Sequence, residues 1–278
     1  MPDAPSVEQT PEAAQEGQLI KCLQDSLNGE LNNGTLREKL GWSPELFWAV
    51  RGRLLASGKV IKARGGPGGM TILAAPLESQ QASIDVEPAS TSIDTFAGEE
   101  VREQELDLYD PMLKEIDSNW SQDEGYDACI TRKTALAGRR STGGKWTRPD
   151  ICMVGIRKFK FLRDPIFDVI SFEVKPAWAV TVEGVFEALA HRQFATRAYV
   201  VFHIDSANFV LRPEASRIVA LAEQHGVGVI LAEDAENYDT WVEKVYGRRW
   251  SPDPVDLNDF IQRIFPSSDH DQIIKFTK

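Results

Sequence analysis

The sequence predicts an α/β fold for its C-terminal part, with a mixed central sheet between layers of helices. Three apolar runs carry this prediction: ICMVGI from Ile151, FDVISFEV from Phe167 and AYVVF from Ala198. They are rich in β-branched and aromatic residues and nearly continuous, as strands are when helices cover both faces of a sheet. Segments with helical periodicity lie between them, and this alternation is typical of α/β domains.

The predicted elements of this domain, residues 99–278, follow a simple order. They are a helix at about 99–118, the strand YDACIT, a loop rich in glycine and arginine, strands near 151–161 and 167–176, a helix at about 182–196, the strand AYVVFHI, a helix at about 213–224 and the strand GVILA. Gly226 is expected to end the last helix, because glycine adopts the left-handed conformation of helix C-termini.

Residues 17–74 predict a separate small unit of three helices and a hairpin. Apolar residues recur at helical spacing at Leu19, Ile20, Cys22, Leu23 and Leu27. A second helix, TLREKL, ends at Gly41, and Ser43 and Pro44 begin a third that runs to about Ser57. KVIKARGGPGGMTIL then predicts two strands joined by a glycine-rich turn. This order resembles a winged helix-turn-helix domain, and residues 75–98, rich in Ser, Ala, Pro and acidic residues, predict a flexible linker.

Composition excludes several classes of protein. The 278 residues are 42% hydrophobic and 26% charged, which is typical of a globular protein. A net charge of -11 argues against binding nucleic acid by bulk attraction, although a local basic surface can still steer a polyanion. The three cysteines and four histidines lack disulfide or zinc-ligand spacing. Without a signal-peptide pattern or a run of ~20 apolar residues, we expect a cytoplasmic protein with no membrane association.

Two acidic residues and a lysine lie on consecutive predicted strands. Asp150 stands at the entry of one strand, and Glu173 follows on the next after 22 intervening residues. The period of two residues in a strand puts Glu173 and Lys175 on one face, with Phe172 and Val174 on the other. If the two strands pair as neighbours, Asp150 reaches the same face.

This set of residues suits hydrolysis of a phosphodiester. Asp150 and Glu173 are hard oxygen ligands for Mg²⁺, and the Val174 carbonyl can add a third. The ion would lower the pKa of a bound water and neutralise charge on the phosphorus centre. Lys175 would orient or help deprotonate the water, or stabilise the transition state as a fixed cation. An ordinary Glu173–Lys175 ion pair is the alternative, but charges inside an apolar strand favour a functional role.

Pro149-Asp150 and Glu173-Val174-Lys175 match the motif of the PD-(D/E)xK, or restriction-endonuclease-like, nuclease superfamily. The predicted order of elements at 99–205 also resembles its core. The resemblance implies a restriction-endonuclease-like α/β/α core and a nuclease that hydrolyses DNA with Mg²⁺, for which Mn²⁺ can substitute. It further implies a setting in restriction, phage defence or repair, and a homodimer.

The resemblance also implies roles for residues outside the motif. Polar residues of the helix after the motif often face the site in that superfamily, which indicates Gln193 as a catalytic residue and Arg197 as a nucleic-acid contact. An acidic residue of the opening helix sometimes joins the metal ligands, which indicates Glu105.

Two basic regions are expected to contact nucleic acid. Between Thr131 and Arg163 the sequence has ten basic residues and one acidic residue, Asp150. The basic residues are Arg132, Lys133, Arg139, Arg140, Lys145, Arg148, Arg157, Lys158, Lys160 and Arg163. We expect this run to surround the site, with contacts to the nucleic-acid backbone from Arg139, Arg140, Lys145 and Arg148.

The winged-helix-like unit is basic as well, with seven basic and two acidic residues at 35–73. Its expected nucleic-acid contacts are Arg51, Arg53, Lys62 and Arg64. The third helix lacks base-reading side chains on its outer face, so backbone contact is expected, with dimerisation or docking as the alternative. Two other functions stay open: an inactive winged-helix regulator or adaptor, and an RNA-directed nuclease. The intact Asp150, Glu173 and Lys175 set argues against the first.

Overall fold

A computed structural model describes residues 11–26, 29–63, 69–74, 105–135 and 148–276. The expected linker at 75–98 lies outside these residues. So do four of the expected nucleic-acid contacts, Arg64, Arg139, Arg140 and Lys145.

The N-terminal unit contains the predicted helices and hairpin. Its elements are α1 (Pro11–Gln24), β1 (Glu30–Asn32), α2 (Asn33–Leu40), α3 (Pro44–Ala56), β2 (Val60–Ala63) and β3 (Met70–Leu73). Gly41 ends α2 with a φ of 63°, and the Ser43 hydroxyl accepts a hydrogen bond from the Leu46 amide at the start of α3. The short strand β1 was not predicted; it completes an antiparallel sheet in the order β1-β3-β2.

The C-terminal unit contains the remaining elements. They are α4 (Glu105–Glu115), a π-helical turn (Ile116–Trp120), α5 (Ser121–Asp123), β4 (Ala128–Lys133), β5 (Ile151–Arg157), β6 (Ile166–Lys175), α6 (Val182–Ala190), β7 (Arg197–Phe202), α7 (Ser206–Val210), α8 (Ala215–His225), β8 (Gly228–Ala232), β9 (Trp241–Val245), α9 (Pro254–Ile264) and α10 (Ser267–Phe276). Short 3-10 turns lie at Ala177–Ala179, His191–Gln193 and Tyr238–Thr240. The predicted helix at 182–196 is therefore shorter than expected, and α7, β9, α9 and α10 were not predicted.

The central sheet has six strands in the order β4-β5-β6-β7-β8-β9. β4, β5 and β6 form an antiparallel meander, β7 and β8 run parallel to β6, and β9 returns antiparallel to β8. The parallel pairs need crossover connections, which α6 and α8 provide. The predicted mixed sheet is confirmed.

Helices cover both faces of this sheet. Phe172 and Val174 of β6 face a core shared with α4 and with the N-terminal unit. On the other face, α6 and α8 pack over β7 and β8, and α9 and α10 pack over β5 and the start of β6. Among the described helices, none combines the length and the apolar character needed to cross a bilayer.

Buried charges join the N-terminal unit to the C-terminal unit. The Arg51 side chain is 1% exposed, and its guanidinium lies 3.0 Å from the Asp123 carboxylate. Asp123 also accepts a hydrogen bond from the Tyr238 hydroxyl at 2.8 Å, and Lys62 lies 3.2 Å from it. Lys62 pairs in addition with Glu124.

Further contacts line the same junction. Arg37 pairs with Asp239, and the Trp48 indole donates a hydrogen bond to Asn119 at 3.2 Å. Basic side chains of the N-terminal unit therefore bind carboxylates of the C-terminal unit. The prediction that Arg51 and Lys62 contact nucleic acid is wrong, because their charged groups pair with Asp123 and Glu124. Both residues belong instead to the surface by which the N-terminal unit packs on the C-terminal unit.

We predict that Asp123→Ala destabilises the protein by about 3–5 kcal/mol, because it leaves the buried Arg51 guanidinium without its anionic partner. Urea unfolding monitored by circular dichroism measures the effect. Asp271→Ala on the exposed face of α10 is the control and should change the free energy of unfolding little. A loss below about 1 kcal/mol for Asp123→Ala would show that the pair contributes no more than a surface ion pair.

Candidate metal centre

The pairing of β5 with β6 brings Asp150 beside Glu173. Ile151 is the partner of Phe172 in the antiparallel register, so the next pair outward is Asp150 with Glu173. Residues directly opposite each other in such a pair point to the same face. The Val174 amide donates a hydrogen bond to the Asp150 carboxylate at 2.8 Å and holds it at this position.

A third carboxylate reaches this point from the opposite layer. Glu105 is the first residue of α4, and one oxygen from each of Glu105, Asp150 and Glu173 lies within 4.8 Å of the others. The Tyr109 hydroxyl, one turn along α4, lies 2.6 Å from a Glu105 oxygen and 2.8 Å from an Asp150 oxygen. The single hydroxyl proton lies between these two carboxylates and can serve one of them at a time.

Lys175 lies at the same end of β6 and bonds to acidic groups on two sides. Its ammonium is 2.7 Å from Glu173 and 2.7 Å from Glu187 of α6, and 3.8 Å from Glu105. Gly184 allows α6 to approach this closely, since a Cβ there would lie 3.1 Å from a Val200 methyl and 3.4 Å from Lys175 Cγ. The lysine is thus held in a fixed direction beside the carboxylates.

His191 lies behind Glu173. Its ring is fully buried, and Nε2 is 3.9 Å from the Glu173 carboxylate. Burial, together with the nearby Lys175 charge, lowers the pKa of His191 to about 3. The imidazole is therefore neutral at pH 7.

The carboxylates carry an excess of negative charge. With all four carboxyls ionised, Glu105, Asp150, Glu173 and Glu187 together with the one ammonium of Lys175 would carry a formal charge of four negative minus one positive, or −3. Burial, with the Glu105 carboxylate as a further cause, raises the pKa of Asp150 to about 6. Burial and the Asp150 carboxylate raise the pKa of Glu173 to about 9. The carboxylates around Lys175, Glu173 above all, raise its pKa although burial acts to lower it.

A divalent cation fits this group of residues. Mg²⁺ binds carboxylate oxygens at about 2.0–2.1 Å, so two oxygens on one ion lie about 3–4 Å apart. The three oxygens are already within 4.8 Å, and their charge exceeds what Lys175 balances. The described residues Glu105, Asp150 and Glu173 can therefore hold a metal ion. The Val174 carbonyl points to the same strand edge as its amide, which is the edge where Asp150 lies.

The structure places Gln193 and Arg197 away from this centre. Gln193 is exposed in the turn after α6 and lines a separate cleft. Arg197 begins β7 opposite Ile170, five residues from the level of Lys175, or about 17 Å along the strand. It is 6% exposed and donates to the Tyr246 hydroxyl. The predicted roles of Gln193 in catalysis and of Arg197 in nucleic-acid contact are wrong for this arrangement.

The basic run at 131–163 does not surround the centre as a whole. Arg132 pairs with Asp269 at 2.7 Å, and Arg157 pairs with Asp168 at 2.9 Å. Lys158, Lys160 and Arg163 follow β5, at the end of the sheet opposite Lys175, so that part of the prediction is wrong. The expected contacts of Arg148 and Arg53 with nucleic acid stay predictions. Arg148 is half-buried two residues before Asp150, and Arg53 is partly exposed beside Glu16.

Sequence reasoning missed Tyr109, Glu187 and His191. Tyr109 is four residues after Glu105, a spacing that puts both on one helix face. Glu187 and His191 are likewise four apart, and both follow Gly184 on the face of α6 that meets β6. Helical spacing counted from Gly184 would have indicated these two residues in place of Gln193.

Comparisons with known proteins add little to this geometry. No protein-family model matches the sequence. No curated protein matches it. One similar solved structure is the SPO1766 protein of unknown function from Silicibacter pomeroyi, with 14% identity over 53% of this chain and 77% of that chain and a TM-score of 0.30. At this TM-score the similarity carries no conclusion about fold or function.

We predict that Mn²⁺ raises the melting temperature, and more so at pH 8 than at pH 6. The raised pKa of Glu173 means that, without metal, folding favours its protonated form, which costs stability increasingly as pH rises from about 4.5 towards 9. Metal binding displaces this proton, so affinity should rise about tenfold per pH unit between pH 6 and 8. Thermal unfolding with Mn²⁺ or EDTA measures it.

Asp150→Asn and Glu173→Gln should abolish the metal-dependent shift, whereas Asp256→Asn on the exposed side of α9 should retain it. An equal shift in all four proteins would place the metal elsewhere.

We predict that Tyr109→Phe weakens Mn²⁺ binding about 10–100-fold, because it removes the hydroxyl that orients two of the ligands. Tyr126→Phe is the matched control, since its hydroxyl bonds a buried carboxylate, Asp168, at 3.0 Å far from the centre. Both variants should lose stability, and only Tyr109→Phe should lose metal affinity in calorimetric titration. Equal affinities would exclude an orienting role for Tyr109.

Proposed function

We propose that this protein is a Mg²⁺-dependent nuclease that hydrolyses phosphodiester bonds of DNA. The observation that carries the proposal is the meeting of Glu105, Asp150 and Glu173 beside the ammonium of Lys175 at one end of the sheet. The residues Pro149-Asp150 and Glu173-Val174-Lys175 resemble the PD-(D/E)xK motif; the first pair directly precedes β5, and the other three lie on its antiparallel neighbour β6. A restriction-endonuclease-like core preceded by a winged-helix domain is the finer description of the fold that we propose.

Different residues of the chain would bind the metal ion and contact the water or the phosphate. Glu105, Asp150 and Glu173 would hold Mg²⁺, with Mn²⁺ as a substitute, and the ion supplies Lewis acidity towards a phosphodiester and a water. Asp150 and Glu173 are each 7% exposed, so the low-dielectric surroundings strengthen their electrostatic interactions. Glu187 pairs with the Lys175 ammonium and holds it at a fixed position. There the ammonium would donate hydrogen bonds to the attacking water or to a phosphate oxygen.

An ordinary structural ion pair explains this arrangement less well. One carboxylate would balance the charge of Lys175, whereas those of Glu105, Glu173 and Glu187 all lie within 3.8 Å of its ammonium. Removing charges from water is costly, and an uncompensated buried carboxylate costs most. A fold that retained this cluster without a cation would lose stability with no gain, which argues against the inactive adaptor.

The setting we propose is restriction, phage defence or repair, in accordance with the resemblance. DNA is favoured over RNA as substrate, and a homodimer would allow two centres to cut two strands. The docked N-terminal unit has its Arg51 and Lys62 side chains in contact with the C-terminal unit. Any binding of nucleic acid by that unit would have to use other residues, such as the partly exposed Arg53.

We predict that Lys175→Met lowers the rate of Mg²⁺-dependent DNA cleavage about 10²–10³-fold, because a fixed charge at the reacting phosphate is lost. Gel assays compare duplex DNA, single-stranded DNA and RNA, each with Mg²⁺, Mn²⁺ or EDTA. The Mn²⁺-dependent rise in melting temperature should persist in Lys175→Met, since the three carboxylates stay in place.

Lys244→Met, on an exposed position of β9, is the matched control and should cleave at the wild-type rate. Equal cleavage by wild type and Lys175→Met would assign the products to another centre or a contaminant. Metal binding without cleavage of any substrate would support the adaptor, and cleavage of RNA alone would support the RNA-directed alternative.

A further inference from the structure

A cavity lies at the end of the sheet opposite to the cluster of Glu105, Asp150 and Glu173. It has a volume of about 590 Å³ and lies between the end of α6, the end of α8 and the segment that follows β9. Arg249 of that segment donates hydrogen bonds to Asp168 at 2.8 Å and to the Phe167 carbonyl at 3.1 Å. Asp168 and Lys175 are seven residues apart on β6, about 23 Å at ~3.3 Å per residue. The cavity is therefore separate from the candidate metal centre.

The wall of this cavity is cationic. Arg192, Arg248 and Arg249 line it, and no acidic residue of the described chain does. Arg249 pairs with Asp168, which also pairs with Arg157, but no described carboxylate lies within ion-pair distance of Arg192 or Arg248. Burial, together with the neighbouring charge of Arg248, lowers the pKa of Arg192. The whole chain has a net charge of -11, yet Arg192 and Arg248 have no carboxylate partner among the described residues, so this cavity is locally positive.

Arg192 is also incompletely hydrogen-bonded. It donates to the His225 carbonyl at the end of α8, but its buried Nε has no partner among the described residues. That carbonyl belongs to a helix C-terminus, whose partial negative charge of about −0.5 offsets only part of two guanidinium charges. The excess of positive charge on the two guanidinium groups that line the cavity suits an anion with several acceptor oxygens, such as phosphate.

An aromatic ring stands beside these arginines. Trp250 is 51% exposed, and the Arg192 guanidinium lies 4.4 Å from its ring centroid. Its backbone amide donates to the Thr196 carbonyl at 2.6 Å, which anchors the residue to the start of β7. An exposed indole on this anchored backbone offers a stacking surface for a planar ring, and the side-chain amides of Gln193 and Gln224 can bond to polar base edges.

We propose that this cavity binds a nucleotide, with the phosphate against Arg192 and Arg248 and the base against Trp250. Its volume falls in the range of small-molecule sites and is larger than inorganic phosphate needs. The same chemistry occurs in a free nucleotide and in one nucleotide unit of a single strand. The proposal does not depend on cleavage, because none of the metal-centre carboxylates lines the cavity.

The test is calorimetric titration of the full chain in EDTA with adenosine monophosphate, inorganic phosphate, ribose 5-phosphate and a short single-stranded oligonucleotide. Arg192→Gln and Arg248→Gln should each weaken binding of adenosine monophosphate about tenfold or more. Trp250→Leu should weaken it about tenfold while leaving ribose 5-phosphate unchanged. Lys244→Met, on an exposed position of β9 outside the cavity, should bind adenosine monophosphate like the wild type.

Arg217→Gln is the matched control, since it removes the same charge from an exposed position on α8 away from the cavity. Arg248 is exposed, so its replacement keeps the fold testable even if Arg192→Gln unfolds. Tight binding of adenosine monophosphate would identify a free nucleotide. Tight binding of the oligonucleotide alone, weakened by Arg248→Gln, would identify a strand in this cavity, whereas oligonucleotide binding that Arg248→Gln leaves unchanged would overturn the proposal. No binding of either, phosphate binding as tightly as adenosine monophosphate, or equal losses in Arg217→Gln would overturn the proposal.

Discussion

The antiparallel register between β5 and β6 is the constraint on which the candidate metal centre depends. Ile151 opposite Phe172 puts Asp150 opposite Glu173, and a shift of one residue would send one of these carboxylates to the other face of the sheet. Burial of Phe172 and Val174 in the core beneath α4 penalises such a shift, because it would put the charged Glu173 and Lys175 side chains into that apolar core. The hydrophobic core on one face therefore sets the position of the acidic groups on the other.

The balance of charge distinguishes structural from functional polar groups in this molecule. Asp123 is matched by Arg51 and Lys62, and Asp168 by Arg157 and Arg249, so these buried groups join parts of the fold. In two other places, some charged groups have no partner of opposite charge among the described residues. Carboxylates outnumber the Lys175 ammonium at one end of the sheet, and no described carboxylate pairs with Arg192 or Arg248 at the other. A cation suits the first place and an anion the second.

Docking of the N-terminal unit gives the basic residues of its third helix a role that composition does not reveal. The Arg51 guanidinium, which a helix drawn alone would present to solvent, is enclosed between Thr71 and Asp123. Asp123 itself lies in α5, directly after the π-helical turn that extends α4. The helix that supplies Glu105 to the metal centre thus leads, at its other end, into the junction between the two units.

The sequence by itself determined the helices and strands with strong periodicity, the mixed sheet, and the candidate metal ligands Asp150 and Glu173. Period-two spacing and buried apolar runs are local properties that require no knowledge of the fold. It did not indicate α9 and α10, although Asp253 and Pro254 form an ordinary helix start. Only the tertiary structure decided that Glu187 holds Lys175, that Arg51 is buried and that Arg197 is distant from the centre. Those outcomes depend on which helix face packs on the sheet and on contacts between residues far apart in the chain, which no local pattern encodes.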